Sequence, residues 1–254
     1  MSTSRPHPPI GRAALAVGLL VGGALLSGCG VSDERPRPGA AAQVGDVRIT
    51  TDEVDDTLDT VCDFLSSRQQ GGYPMSVVRQ QLVGGLVQAS AVTQVMEETG
   101  AELGDDYQAQ LQGLEDQYAD LPDDIREAYL SVTRAGAVVA YGTAAIGVAL
   151  GAPAPSGATD PSDPTATDEA TTRGQDAVDA WFDDHDVSID PIYQLALVDG
   201  TLTGDFAGTS VPQSDFAQAA VIDLLSTDPD VQSGADTKAA ALTKLLPADQ
   251  LCGG

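Results

Sequence analysis

Apolar residues recur along this chain at intervals of three and four, and the breaks between those runs fall on glycine and proline. After Val54 the apolar positions are Leu58, Val61, Cys62 and Leu65, the spacing of one helical face, while Asp55, Asp56, Asp59 and Asp63 lie mostly on the other side. Thr50-Thr51-Asp52-Glu53 precedes this run and has the form of a capping box. In that motif a hydroxyl satisfies an orphan amide and a glutamate three residues on reaches back. Gly71-Gly72 ends the pattern, and Pro74 stands where a second helix opens. That helix runs through Val78, Leu82, Leu86, Ala89, Thr93 and Met96 and closes on Gly100. Asp105 is placed to cap a third helix, with Leu111, Leu114 and Tyr118 on one face. Pro122 opens a fourth, with a stripe of Ile125, Tyr129, Val132, Val139, Ile146 and Leu150.

Elsewhere the pattern shortens to alternation. Residues 43–49 read as strand, turn, strand about Gly45-Asp46. Val187-Ser188-Ile189 and residues 193–198 read as strands, and Asp199-Gly200 is a hairpin turn into Thr201-Leu202-Thr203. Residues 175–184 form a short helix carrying Trp181 and Phe182, and 214–226 and 234–246 are helical stretches. The expected fold is mainly α: a helical bundle over 43–150, with a small β-element joining the N- and C-terminal segments. Residues 29–42 read as a flexible tether, and 151–173, rich in Pro, Ser, Thr and Asp, as a linker or loop before the returning segment 174–254. Residues 135–150 carry no charge. They read as a buried helix closing the bundle in preference to a second membrane segment, because the run is short and its Ala and Gly contribute little transfer energy.

The first residues follow a different logic. Arg5, His7 and Arg12 precede an uncharged apolar run over 13–26, and Leu26-Ser27-Gly28-Cys29 closes it. This is the layout of an export signal, too short to span a bilayer as a stable helix of about 20 residues. Its last four residues resemble the lipobox of bacterial lipoproteins. The resemblance implies that residues 1–28 are removed, that the Cys29 thiol carries a diacylglyceryl group, and that the chain sits on the extracytoplasmic face of the cell membrane. Two acyl chains anchor firmly where one holds only marginally.

The whole chain has 38 acidic and 12 basic residues, a net charge of −26. Loss of residues 1–28 removes Arg5 and Arg12 and no acid, leaving Lys238 and Lys244 as the only lysines. Such a surface repels nucleic acid and anionic headgroups, so the lipid on Cys29 is the expected link to the bilayer and nucleic acid is not an expected partner. An oxidising compartment and an even count favour a disulfide between Cys62 and Cys252 over two free thiols.

Signals for catalysis are sparse. His185 is the only histidine after the signal, in Asp183-Asp184-His185-Asp186. That cluster reads as a solvated acidic helix end in preference to a metal or proton-transfer site. Asp228-Pro229-Asp230 does not continue as a calcium loop, since Ser233 and Ala239 stand where glycine and glutamate are required. No catalytic residue, cofactor or metal is expected.

One family matches the layout of caps and helices. The strand and turn Val44-Gly45-Asp46-Val47-Arg48-Ile49, the helix opening Thr50 to Val54, the helix from Val78 to Gly100 and the acidic cap Gly104-Asp105-Asp106 together resemble the N-terminal domain of SurA-type periplasmic chaperones and related foldase lipoproteins. The phrase Val187-Ser188-Ile189-Asp190-Pro191-Ile192-Tyr193 resembles the returning strand of actinobacterial members, with Ile192 and Gln194 where Arg and Gly are usual. Members that catalyse prolyl isomerisation carry a parvulin domain of about 100 residues, and no stretch here reads as one. The resemblance implies chaperone-like binding of exported or unfolded polypeptides in apolar grooves between helices, without isomerase activity. It does not identify the peptide-binding residues. The rival expectation is a structural or assembly lipoprotein that binds one fixed cell-envelope protein.

Overall fold

A computed structural model describes residues 38–67, 72–154, 164–204 and 237–253. The signal, Cys29 and the helical stretch expected over 214–226 lie outside these described residues. Of the residues described, 67% are helical, so the chain is mainly α, with three small sheets.

The order is β1 (Ala40–Val44), β2 (Val47–Thr50), α1 (Thr51–Ser67), β3 (Tyr73–Pro74), α2 (Met75–Thr99), α3 (Asp105–Gln117), α4 (Asp123–Ala149), α5 (Pro164–Asp184), β4 (Val187–Ile189), β5 (Ala196–Val198), β6 (Thr201–Thr203) and β7 (Leu251–Cys252). Residues 237–243 are also helical.

Local chemistry accounts for most helix ends. The Thr50 hydroxyl accepts from the Glu53 amide at 3.2 Å and so caps α1. Pro74 and Pro122 stand just before α2 and α4, and Gly100 closes α2 in a left-handed conformation with its amide on the Met96 carbonyl. Gly104 is the cap of α3, while Asp105 and Asp106 occupy its first turn, where they face the helix dipole favourably. The expected cap at Asp105 is thus displaced by one residue.

β1 is the central strand of the largest sheet, antiparallel to β2 on one side and to β4 on the other. Val44 stands opposite both Val47 and Val187, so the returning segment closes the N-terminal hairpin into a sheet. The strand starts earlier than sequence suggests. Ala41 and Ala42 are completely buried, so the tether expected over 29–42 is already folded at its end. An alanine run has no alternation to betray a strand, yet its short side chains let β1 lie close against α1 and α2.

Residues 193–198 are not one strand. The Asp190 carboxylate accepts from the Ile192 amide at 3.0 Å and turns Pro191–Tyr193 into a 3-10 segment, and extended structure resumes only at β5. The buried Gln80 side chain donates to the Gln194 carbonyl at 2.8 Å, fastening this turn to α2.

The main core gathers Val44 and Ile49 of the sheet, Leu58 of α1, Val83, Val87 and Val92 of α2, Ile146 of α4 and Trp181 of α5. A second cluster joins the far ends of α1, α3 and α4, where Phe64 stacks on Tyr129 and meets Tyr118 edge-on. Helix α4 contacts α1, α2, α3 and α5. Among the described residues it is the one helix long and apolar enough to cross a membrane by length and composition, and 28% of its most apolar window is buried. It therefore closes the bundle along one face and is not enclosed by it. Leu150, expected on the apolar stripe, is 44% exposed.

Helix α5 is longer than the sequence suggests. It begins at Pro164, inside the stretch expected to be a linker over 151–173. Tertiary contact explains the difference. Ala170 is completely buried against α4, and the Arg173 side chain donates to the Leu150 carbonyl at 3.1 Å, capping the end of α4.

Candidate functional site

The antiparallel pair α4 and α5 meets backbone to backbone at one end. A Cβ on Gly147 would collide with the Ala170 carbonyl oxygen, and one on Gly174 with that of Thr143. Past Thr143 and Gly174 the facing positions carry larger side chains, Val139 and Val178. A cleft of ≈ 670 Å³ opens there, between α2, α4, α5 and the hairpin β5–β6. Its volume falls within the range of about 300–1,000 Å³ common for ligand sites.

The hairpin is set by its turn. Asp199 and Gly200 both have positive φ, 50° and 74°, as a two-residue hairpin turn requires. A Cβ on Gly200 would come within 2.5 Å of the Asp179 carbonyl oxygen and 3.1 Å of a carboxylate oxygen of Asp183. The hairpin tip is therefore pressed onto α5, which places all three residues of β6 along the cleft wall.

Val92, Val178, Phe182 and Leu202 give the cleft an apolar floor. Its rim is polar, with threonines from α5 and β6, Gln88, Gln175, Asp176 and Asp179. Gln175 donates to the Asp179 carboxylate at 2.7 Å. Partial burial pushes the Asp179 carboxyl above the usual carboxylate range against that hydrogen bond, and the neighbouring charges of Asp176 and Asp183 add to the rise.

A smaller apolar pocket of ≈ 170 Å³ lies between α1, α2 and α4, lined by Val61, Val78, Leu82, Leu86, Val132 and Ala135. It has room for about one aliphatic side chain.

The residues singled out from sequence fall elsewhere. The structure joins Cys62 and Cys252 in a disulfide, with Cα atoms 4.6 Å apart. This bond ties α1 to β7, which pairs with β3 and receives the Gly72 amide on the Cys252 carbonyl. His185 stacks on Trp181 with ring centroids 4.1 Å apart, and its Nδ1 lies 2.9 Å from the Trp181 carbonyl oxygen. A carbonyl only accepts, so Nδ1 carries the proton. Its Nε2 is 3.7 Å from Glu98, whose carboxylate accepts from the Trp181 indole at 3.0 Å. Among the described residues no group of three His, Cys, Asp or Glu could hold a metal ion.

Sequence reasoning passed over Asp176 and Asp179. A signal was present: Asp176, Asp179 and Asp183 follow the spacing i, i+3, i+7, which puts them on one helical face. In comparisons with known proteins, no family model, curated protein or solved structure matches the chain.

Proposed function

We propose that this chain is an extracytoplasmic lipoprotein, anchored by lipid on Cys29, that binds exported or unfolded polypeptides in a chaperone-like way and performs no chemistry on them. The observation that carries this reading is the cleft beside α5. It combines an apolar floor with a polar rim, and one wall is three consecutive residues of an extended strand, Thr201, Leu202 and Thr203. That wall suits an extended chain, which alternates side chains between two faces. The likeness to the SurA N-terminal domain supports the same reading through the capped helices α1 and α2 and the return of β4 to β1.

The deciding measurement is aggregation. The full-length chain, added at near-stoichiometric amounts, slows aggregation of two unrelated unfolded clients. No effect on either client defeats the chaperone reading and favours an assembly lipoprotein with one fixed envelope partner. The anchor is tested apart from this. Cys29→Ala moves the protein from the membrane fraction to the soluble one, and a variant that stays membrane-bound and is processed at the same place defeats the lipoprotein assignment.

A further inference from the structure

The polar rim of the cleft carries one sign of charge. Asp176 and Asp179 lie on that rim, Asp183 continues the stripe along α5 beside the hairpin tip, and among the described residues none of the three has a cationic side chain in ion-pair range. Four arginines are already engaged by acids elsewhere: Arg79 by Asp55, Arg126 by Asp123, Arg134 by Glu115 and Arg173 by Glu169. The stripe therefore stands uncompensated, in a chain whose net charge of −26 draws cations toward it over longer distances.

Building on the polypeptide-binding reading above, we infer that the cleft selects extended segments in which lysine or arginine alternates with apolar residues. The spacing fits. The two carboxylates on the rim, Asp176 and Asp179, are three residues apart on a helix, about 4.5 Å of rise. Same-side residues of an extended chain are about 6.7 Å apart, and the flexible stems of lysine or arginine at i and i+2 take up the difference of about 2 Å to reach the two carboxylates. The residue between them faces the other way, toward the floor of Val92, Phe182 and Leu202. Burial is the main cause that raises the Asp179 carboxyl, and a bound cation offsets the smaller contribution from the like charges of Asp176 and Asp183.

The test uses three labelled peptides with the same alternating Val and Phe positions and with Lys, Gln or Glu at the others, titrated against the full-length chain by fluorescence anisotropy. The Lys peptide binds about tenfold more tightly than the Gln peptide, the size expected of two or three partly exposed ion pairs, and the Glu peptide binds worst. Added salt narrows the gap between the Lys and Gln peptides. The triple variant Asp176→Asn, Asp179→Asn, Asp183→Asn closes that gap, and a urea-unfolding midpoint no lower than that of the native chain reports that its fold is intact. Equal binding of Lys and Gln peptides to the native chain overturns this selectivity and leaves polypeptide binding standing. Failure of all three peptides to bind overturns both.

Discussion

The two ends of the α4–α5 pair are built on opposite principles. At Gly147 and Gly174 the helices touch through backbone, with no space for a single methyl group. A few residues away, Val139 of α4 and Val178 of α5 line a cleft. The sealed end fixes where the helices are, and the open end inherits a shape that its own side chains do not determine. Rigidity and recognition are thus divided between neighbouring turns of the same two helices.

Breaking the sealed end has the largest expected effect. Gly147→Ala or Gly174→Ala drives a methyl into a carbonyl that belongs to a helix and cannot yield. Overpacking costs about 1–3 kcal/mol where neighbours can shift, and here the loss reaches or exceeds about 3 kcal/mol. Urea unfolding measures it, and a loss below about 0.5 kcal/mol for both variants removes the distinction between the two ends. Gly200→Ala comes next. It strains a positive φ and pushes β6 off α5, with a cost of about 1–2 kcal/mol and a measurable loss of client binding as the cleft wall moves. At the open end Val139→Ser changes stability by less than about 1 kcal/mol, because the site is only half-buried, while client affinity falls.

Asp179→Asn is the smallest effect and is read by its sign. The folded state holds the Asp179 carboxyl above its unfolded range, so folding favours the protonated form. The native chain therefore loses stability as pH rises through the folded value. Asparagine has no charge to suffer from burial and keeps an oxygen for Gln175. The variant is slightly more stable than the native chain at neutral pH, and the advantage disappears below about pH 4, where the native carboxyl is protonated in both states. An advantage that grows on acidification contradicts this assignment.

Helix boundaries were legible in the sequence where the cause is local. The Thr50 cap, Pro74, Gly100 and Pro122 act within one turn, and the structure shows each near the end it signals. The failures share a physical origin. Ala40–Ala42 and the first turns of α5 are ordered by what lies across from them, namely β4 and the small-residue face of α4, and no short window contains both partners. The carboxylates of the cleft were hidden for another reason. In a chain with 38 acidic residues, Asp176 and Asp179 do not stand out until a hairpin from later in the sequence is seen to form the facing wall of the cleft.

The bond between Cys62 and Cys252 has a consequence for how the chain is made. The two cysteines are 190 residues apart, so a chain emerging N-terminus first presents Cys62 long before its partner exists. Throughout that interval the sequence offers Cys62 one other thiol, that of Cys29. Acylation of Cys29 would turn that sulfur into a thioether, which cannot enter disulfide exchange. On this reading the anchor doubles as a protecting group: it leaves the late-arriving Cys252 as the only partner within the chain and reduces three possible pairings to one.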